Sequence, residues 1–143
     1  MRLVARAELE LDKPIAEVFA KLIDYAGWPS WMPAGFQPVS GPQRALEAGD
    51  RIVVKIAPGL PGPLRTLRVR SNEEISWRGG IPGVLVGVHS FFLEELSQAR
   101  TRVRSEEPFS GVLTWLGPLS KRIGNSASVV SLQMLEGLRQ ALY

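Results

Sequence analysis

Between residues 36 and about 110 the chain alternates apolar and polar residues in one short run after another. RTRVRSEEPF, from residue 100, is the cleanest: Thr101, Val103, Ser105, Glu107 and Phe109 share one parity, while Arg100, Arg102, Arg104 and Glu106 take the other. GDRIVVKIAP places Ile52, Val54 and Ile56 together, LRTLRVR places Leu67 and Val69 opposite Arg68 and Arg70, and EEISWRGG pairs Ile75 with Trp77. A period of two is the mark of strands with one buried face. PGLPGP at 58–63 and GGIPG at 79–83 supply the turns. Such a meander must cover its apolar face with something.

The ends of the chain supply the cover. LVARAELEL, residues 3–11, is a further strand pattern. Asp12 as N-cap and Pro14 in a first turn start a helix in which Ile15, Val18, Phe19 and Leu22 recur at helical spacing. DYAGWPSWMPAGF follows, and its glycine and prolines allow only a short second helix or turn. From about Asn125 to Leu142 no proline occurs, and Ala127, Val130, Met134, Leu138 and Ala141 form one apolar stripe flanked by Leu135 and Leu142. The predicted class is α+β: a sheet of six to seven antiparallel strands, curled by its own twist around the long C-terminal helix, with two short helices after the first strand. Without repeats or low-complexity linkers, residues 1–143 read as one domain.

Composition narrows the function classes. At 45% hydrophobic and 22% charged residues the chain reads as globular. It has no cysteine, no apolar run of membrane-spanning length and no signal-peptide pattern, so a cytoplasmic location is expected. The net charge of +3 comes from scattered arginines, which suit the outer face of a sheet better than a nucleic-acid surface. One histidine and no clustered acids leave a metal site without ligands. No nucleophile elbow, phosphate loop or dinucleotide fingerprint is present, and no cofactor is expected.

The order of elements resembles the helix-grip fold of the START-like superfamily, also called SRPBCC. DKPIAEVFAKLIDYAGWPSWMP is similar to that family's first helix and its W-x-P second helix. ISWRGG, GVHSFFLEEL and SEEPFSGVL resemble the bacterial branch of polyketide cyclase/dehydrase-like proteins. Two departures stand out: SQAR where the hairpin usually carries glycines, and LQMLEG where a Met-Asn pair is usual. The resemblance implies a single START-like domain over nearly the whole chain. The superfamily's ligand carriers, cyclases, lipid binders and co-chaperones share this scaffold, so function must be argued from the site.

That site starts at His89, the sole histidine, inside GVLVGVHSFFLEEL. By strand parity it shares a face with Leu85, Gly87, Phe91 and Leu93. The arginine face of the next strand is the solvent face, so Val103, Phe91 and Leu93 point inward. A three-residue loop at Ser97–Ala99 sets Leu93 opposite Val103, Phe91 opposite Ser105 and His89 opposite Glu107, whereas a slip by two would make Ser105 or Phe109 the partner, so His89 is expected opposite Glu107 or one diagonal step from it. Three readings follow: a satisfied core pair, a polar anchor at the bottom of a ligand cavity, or an acid–base pair. Candidate ligand-binding residues are His89, Glu107, Ser105, Trp77, Phe91, Trp28, Trp31, Met134 and Leu138, with His89 and Glu107 the catalytic candidates. Tyr25 belongs to the Trp28–Trp31 cluster, and Leu60 and Ile81 are apolar loop tips near the mouth.

The expected function is binding of a hydrophobic small molecule of polyketide, isoprenoid or lipid type between sheet and helix. The alternatives are a cyclase or dehydratase acting through His89 and Glu107, and an interaction module with a filled core. Val86, Val88, Phe92, Val129 and Leu132 point outward and suggest a homodimer. GVLTWLGPLSKR, 111–122, is expected to pack as a connection into the last helix, with no stable membrane insertion; the lesser alternative is contact of Trp115 and Leu116, next to Lys121 and Arg122, with a membrane surface.

Overall fold

A computed structural model describes residues 3–56 and 60–143, with Leu60 described by its backbone alone. Seven strands form: β1 (Leu3–Leu11), β2 (Phe36–Ser40), β3 (Arg51–Ile56), β4 (Leu60–Arg70), β5 (Glu74–Ile81), β6 (Leu85–Ser97) and β7 (Arg100–Ser110). They make one antiparallel sheet in the order β1-β7-β6-β5-β4-β3-β2. β2 to β7 is an unbroken meander, and β1 closes it beside β7. The chain crosses from one edge to the other through α1 (Ile15–Ile23) and a 3-10 segment, Tyr25–Ser30. After β7, a second 3-10 segment (Val112–Trp115) leads into α2 (Gly117–Leu142). This is the helix-grip α+β architecture.

The core lies between the inward sheet face and the helices. Trp28 sits at its centre, in ring contact with Tyr25, Trp31, Phe36 and Trp77, and its indole N–H donates to the Leu22 carbonyl at 3.0 Å. α2 runs alongside β1: Gly124 lies against Leu3 at one end, and the Tyr143 hydroxyl accepts the Asp12 N–H at 2.7 Å at the other. Its buried residues are Ser131, Met134, Leu135 and Leu138, all in the second half. From Gly117 to Val130 no side chain is fully buried.

Several local expectations are corrected. Pro14, not Asp12, occupies the N-cap position of α1, with φ −60° and ψ 145°, and Asp12 instead approaches Arg100. α2 begins at Gly117, eight residues before Asn125, because Pro118 falls in its first turn, where no N–H partner is lost. Its buried stripe is centred on Ser131, Met134, Leu135 and Leu138, leaving Ala127, Val130 and Ala141 half-buried. A bulge between Thr66 and Arg68 turns Thr66 inward and leaves Leu67 at the irregularity. Gly79–Ile81 are still strand, and the turn is residues 82–84. In PGLPGP, residues 60–63 belong to β4, whereas 58–59 and the Leu60 side chain lie outside the described residues. Residues 111–122 are not a packed connection: Trp115 is 77% exposed.

Candidate functional site

The β6–β7 hairpin places the polar groups. Its turn is Gln98–Ala99, two residues rather than three, with Ser97 paired to Arg100 and an irregularity before Glu95–Thr101. The extra residue at that bulge restores the offset a longer loop would have given. Leu93 pairs with Val103 and Phe91 with Ser105, and the same offset continues through Ser90–Glu106 and Gly87–Phe109, which sets His89 across from Glu107. On its other side His89 pairs with Trp77, and Trp77 with Thr66. Ala5 pairs with Glu107. One row therefore crosses five strands on the inward face: Ala5, Glu107, His89, Trp77, Thr66.

His89 is 2% exposed. Its Nε2 lies 2.8 Å from the Ser105 hydroxyl, a diagonal neighbour, and its Nδ1 lies 3.7 Å from Glu107 Oε1. The first distance is a hydrogen bond and the second is too long for one. Phe91 and Trp77 flank the imidazole, with ring centroids at 4.8 and 5.0 Å. The Glu107 carboxylate reaches over Gly87, where a Cβ would stand 2.8 Å from Oε2, so the glycine makes room for it. Its side chain remains 21% exposed.

Burial governs both titrations. It pushes His89 down to about 3 and Glu107 up to about 7. Mutual attraction of two charges would move both values the other way, so the pair is not an ion pair. Near neutral pH the imidazole is uncharged, and the carboxyl is poised between its protonated and ionised forms. Such a pair can hold the polar head of a ligand by neutral hydrogen bonds or exchange a proton with it.

The remaining candidates fall into two groups. Trp77, Phe91 and Ser105 surround His89, and Trp28 is one ring further on, 5.2 Å from Trp77. Trp31, Met134 and Leu138 are buried in the same core. They are tied to the second half of α2, where Gly137 approaches the Trp31 carbonyl. Because Ala5 is near the Leu3–Gly124 end of the β1–α2 contact, His89 and Glu107 lie level with the first half of α2. Two surface hollows, of about 290 and 310 Å³, flank the other end, between α1 and the C-terminal turns of α2. Neither is lined by His89 or Glu107.

Sequence reasoning missed Thr66 and Ser131, two interior hydroxyls without a hydrogen-bond partner among the described residues. Nothing in the residue pattern marks the bulge that turns Thr66 inward. Ser131 was readable, one turn before Leu135. Among the described residues no group of three His, Cys, Asp or Glu side chains is placed to hold a metal, and no helix is long and apolar enough to cross a membrane.

No family model and no curated protein sequence matches the chain. Its fold, however, recurs in solved structures. Norcoclaurine synthase from Thalictrum flavum, in complex with dopamine and hydroxybenzaldehyde, superposes with a TM-score of 0.74 at 9% identity, over 99% of this chain and 87% of that one. A Mesorhizobium loti protein gives 0.74 at 20% identity, over 97% and 96%. A Helicobacter pylori protein gives 0.76 at 18% identity, over 98% and 88%. At these identities the likeness establishes the helix-grip fold.

Proposed function

We propose that this chain is a single START-like domain of the polyketide cyclase-like branch. It binds a hydrophobic small molecule of polyketide, isoprenoid or lipid type between the sheet and the first half of α2. His89 and Glu107 form the polar end of the site, Ser105 fixes the imidazole, and Trp77 and Phe91 are its apolar walls. Trp28, Trp31, Met134 and Leu138 form the floor toward the second half of α2. The observation that carries this reading is the inward His89–Glu107 pair, level with the stretch of α2 that buries no side chain. A polar pair in an aromatic surround is costly unless it meets polar partners, and Glu107 lacks one among the described residues apart from His89 at 3.7 Å. That the same fold in norcoclaurine synthase holds two small aromatic molecules supports the choice of ligand class.

The second reading is a cyclase or dehydratase on such a ligand. What favours it is the Glu107 carboxyl raised to about 7, where it is useful as both acid and base.

Mass spectrometry of organic extracts from purified protein tests the binding reading. Wild type is expected to carry a hydrophobic species that His89→Ala loses, with folding retained as judged by circular dichroism. An empty wild type, together with equal affinity of wild type and His89→Ala for an apolar fluorescent probe, overturns it. Turnover of the extracted species, abolished in Glu107→Gln, selects the enzyme.

A further inference from the structure

The end of the sheet that carries the β5–β6 turn is capped in an unusual way. The 3-10 segment Val112–Trp115 is tied to that turn by two backbone hydrogen bonds, Val112 N–H to Gly83 O at 3.0 Å and Leu113 N–H to Val84 O at 3.1 Å. Gly111 permits this with φ +109°, and a Cβ there would run into the Val84 carbonyl. Ile81, Val84, Val112, Trp115, Leu116 and Leu119 are thereby gathered at one tip, and all are exposed. They are six of the eleven large exposed apolar side chains among the described residues. A tip of this kind is more than the scattered apolar exposure of an ordinary surface.

Charge selects the partner. From Pro108 to Leu135 the only charged residues are Lys121 and Arg122, and from Ile75 to Leu93 the only one besides the neutral His89 is Arg78. Lys121, Arg122 and Arg78 are exposed. Lys121 and Arg122 stand in the second turn of α2, about 6 Å along the axis from its first residue. Apolar side chains at the apex with cations set slightly back, and no acids between, match the layering of an anionic bilayer: apolar interior first, phosphate charge above it.

We propose that this tip docks peripherally on an anionic lipid surface, with Trp115 inserted at the interface and Lys121 and Arg122 at the headgroups. The proposal does not depend on the ligand reading. The two are geometrically compatible, since His89 is only four residues along β6 from Leu85, the first residue after the turn.

The protein contains its own reporter. Trp28, Trp31 and Trp77 are 0%, 6% and 2% exposed, so among the four tryptophans only Trp115 has an environment that a docked surface changes. Vesicles of phosphatidylcholine with about one-third phosphatidylserine are expected to sediment the protein at low salt and shift its emission to the blue. Pure phosphatidylcholine vesicles, or high salt, are expected to weaken binding at least tenfold. Trp115→Ala should abolish the emission shift and weaken binding at least tenfold. Lys121→Gln with Arg122→Gln should weaken it on the order of thirtyfold, at about fivefold per cation. Leu132→Ser, an exposed apolar residue on α2 away from the tip, is the control and should bind as wild type. These substitutions lie on the surface, and unchanged thermal unfolding verifies that they fold. No sedimentation with the anionic vesicles, or binding that Trp115→Ala leaves intact, overturns the proposal. So does a dimer in the ultracentrifuge that Trp115→Ala dissociates, which would make a second copy the occupant of the tip.

Discussion

Replacing Glu107 by Gln isolates the most unusual electrostatic feature of the interior. Burial raises this carboxyl from its ordinary 4.5 to about 7. Between those values the folded protein holds a proton that the unfolded chain has released. Stability therefore falls as pH rises through the window, the reverse of an ion-paired carboxylate. The shift corresponds to roughly 3 kcal/mol at ~1.36 kcal/mol per unit. A small part of it is already lost at pH 5, just above the unfolded value, so about 2–3 kcal/mol separates pH 5 from pH 8.5. His89, depressed to about 3, works in the opposite sense: it removes stability as pH falls from 6.5 toward 3. That contribution is present in both proteins and cancels in their difference, as does any fixed cost of burying the amide. Urea unfolding of wild type and Glu107→Gln at both pH values should show the variant gaining about 2–3 kcal/mol relative to wild type at pH 8.5. Parallel pH profiles would refute the claim that burial controls this carboxyl.

Two further outcomes follow from α2. Ser131→Ala is expected to stabilise the protein by about 0.5–1 kcal/mol in urea unfolding, because it removes a fully buried hydroxyl that has no partner among the described residues and adds a better helix former. Native-state hydrogen exchange is expected to show amides of Ile123–Val130 opening at a lower free energy than those of Leu135–Leu138, since only the latter stretch lies beside fully buried side chains.

Strand parity made most of the sheet readable. Burying one face of β7 forces Thr101, Val103 and Ser105 inward whatever the turn, and each is fully buried. The pairing of Phe91 with Ser105 was reached from a loop one residue too long, because the bulge near Leu96 supplies the missing offset. Bulges are where the reading ended: Leu67 and Thr66 exchanged roles without any glycine or proline to mark the place. Residues 111–122 were expected to pack as a connection into the last helix, but the segment is held by backbone bonds to the β5–β6 turn, which leave the Trp115 side chain free. The titration directions were also beyond the sequence. A carboxylate beside an imidazole can raise its pKa while burial lowers it, and only the 3.7 Å separation without a direct hydrogen bond lets burial win on both sides.

The two halves of α2 divide the work of the molecule. Met134, Leu135 and Leu138 fix the second half to the core, and each fully buried side chain of this size is worth roughly 1.5–3 kcal/mol. The first half buries nothing fully: Ile123, Ala127 and Val130 are half-buried, and Leu119 and Val129 are exposed. Moving this half therefore withdraws less apolar helix surface from the core than moving the second half. The row of Glu107, His89 and Trp77 lies level with this cheaper half. The ligand proposed above would enter there against the weaker contacts of α2 and meet the interior polar groups His89, Glu107 and Ser105, with the aromatic core around Trp28 left in place.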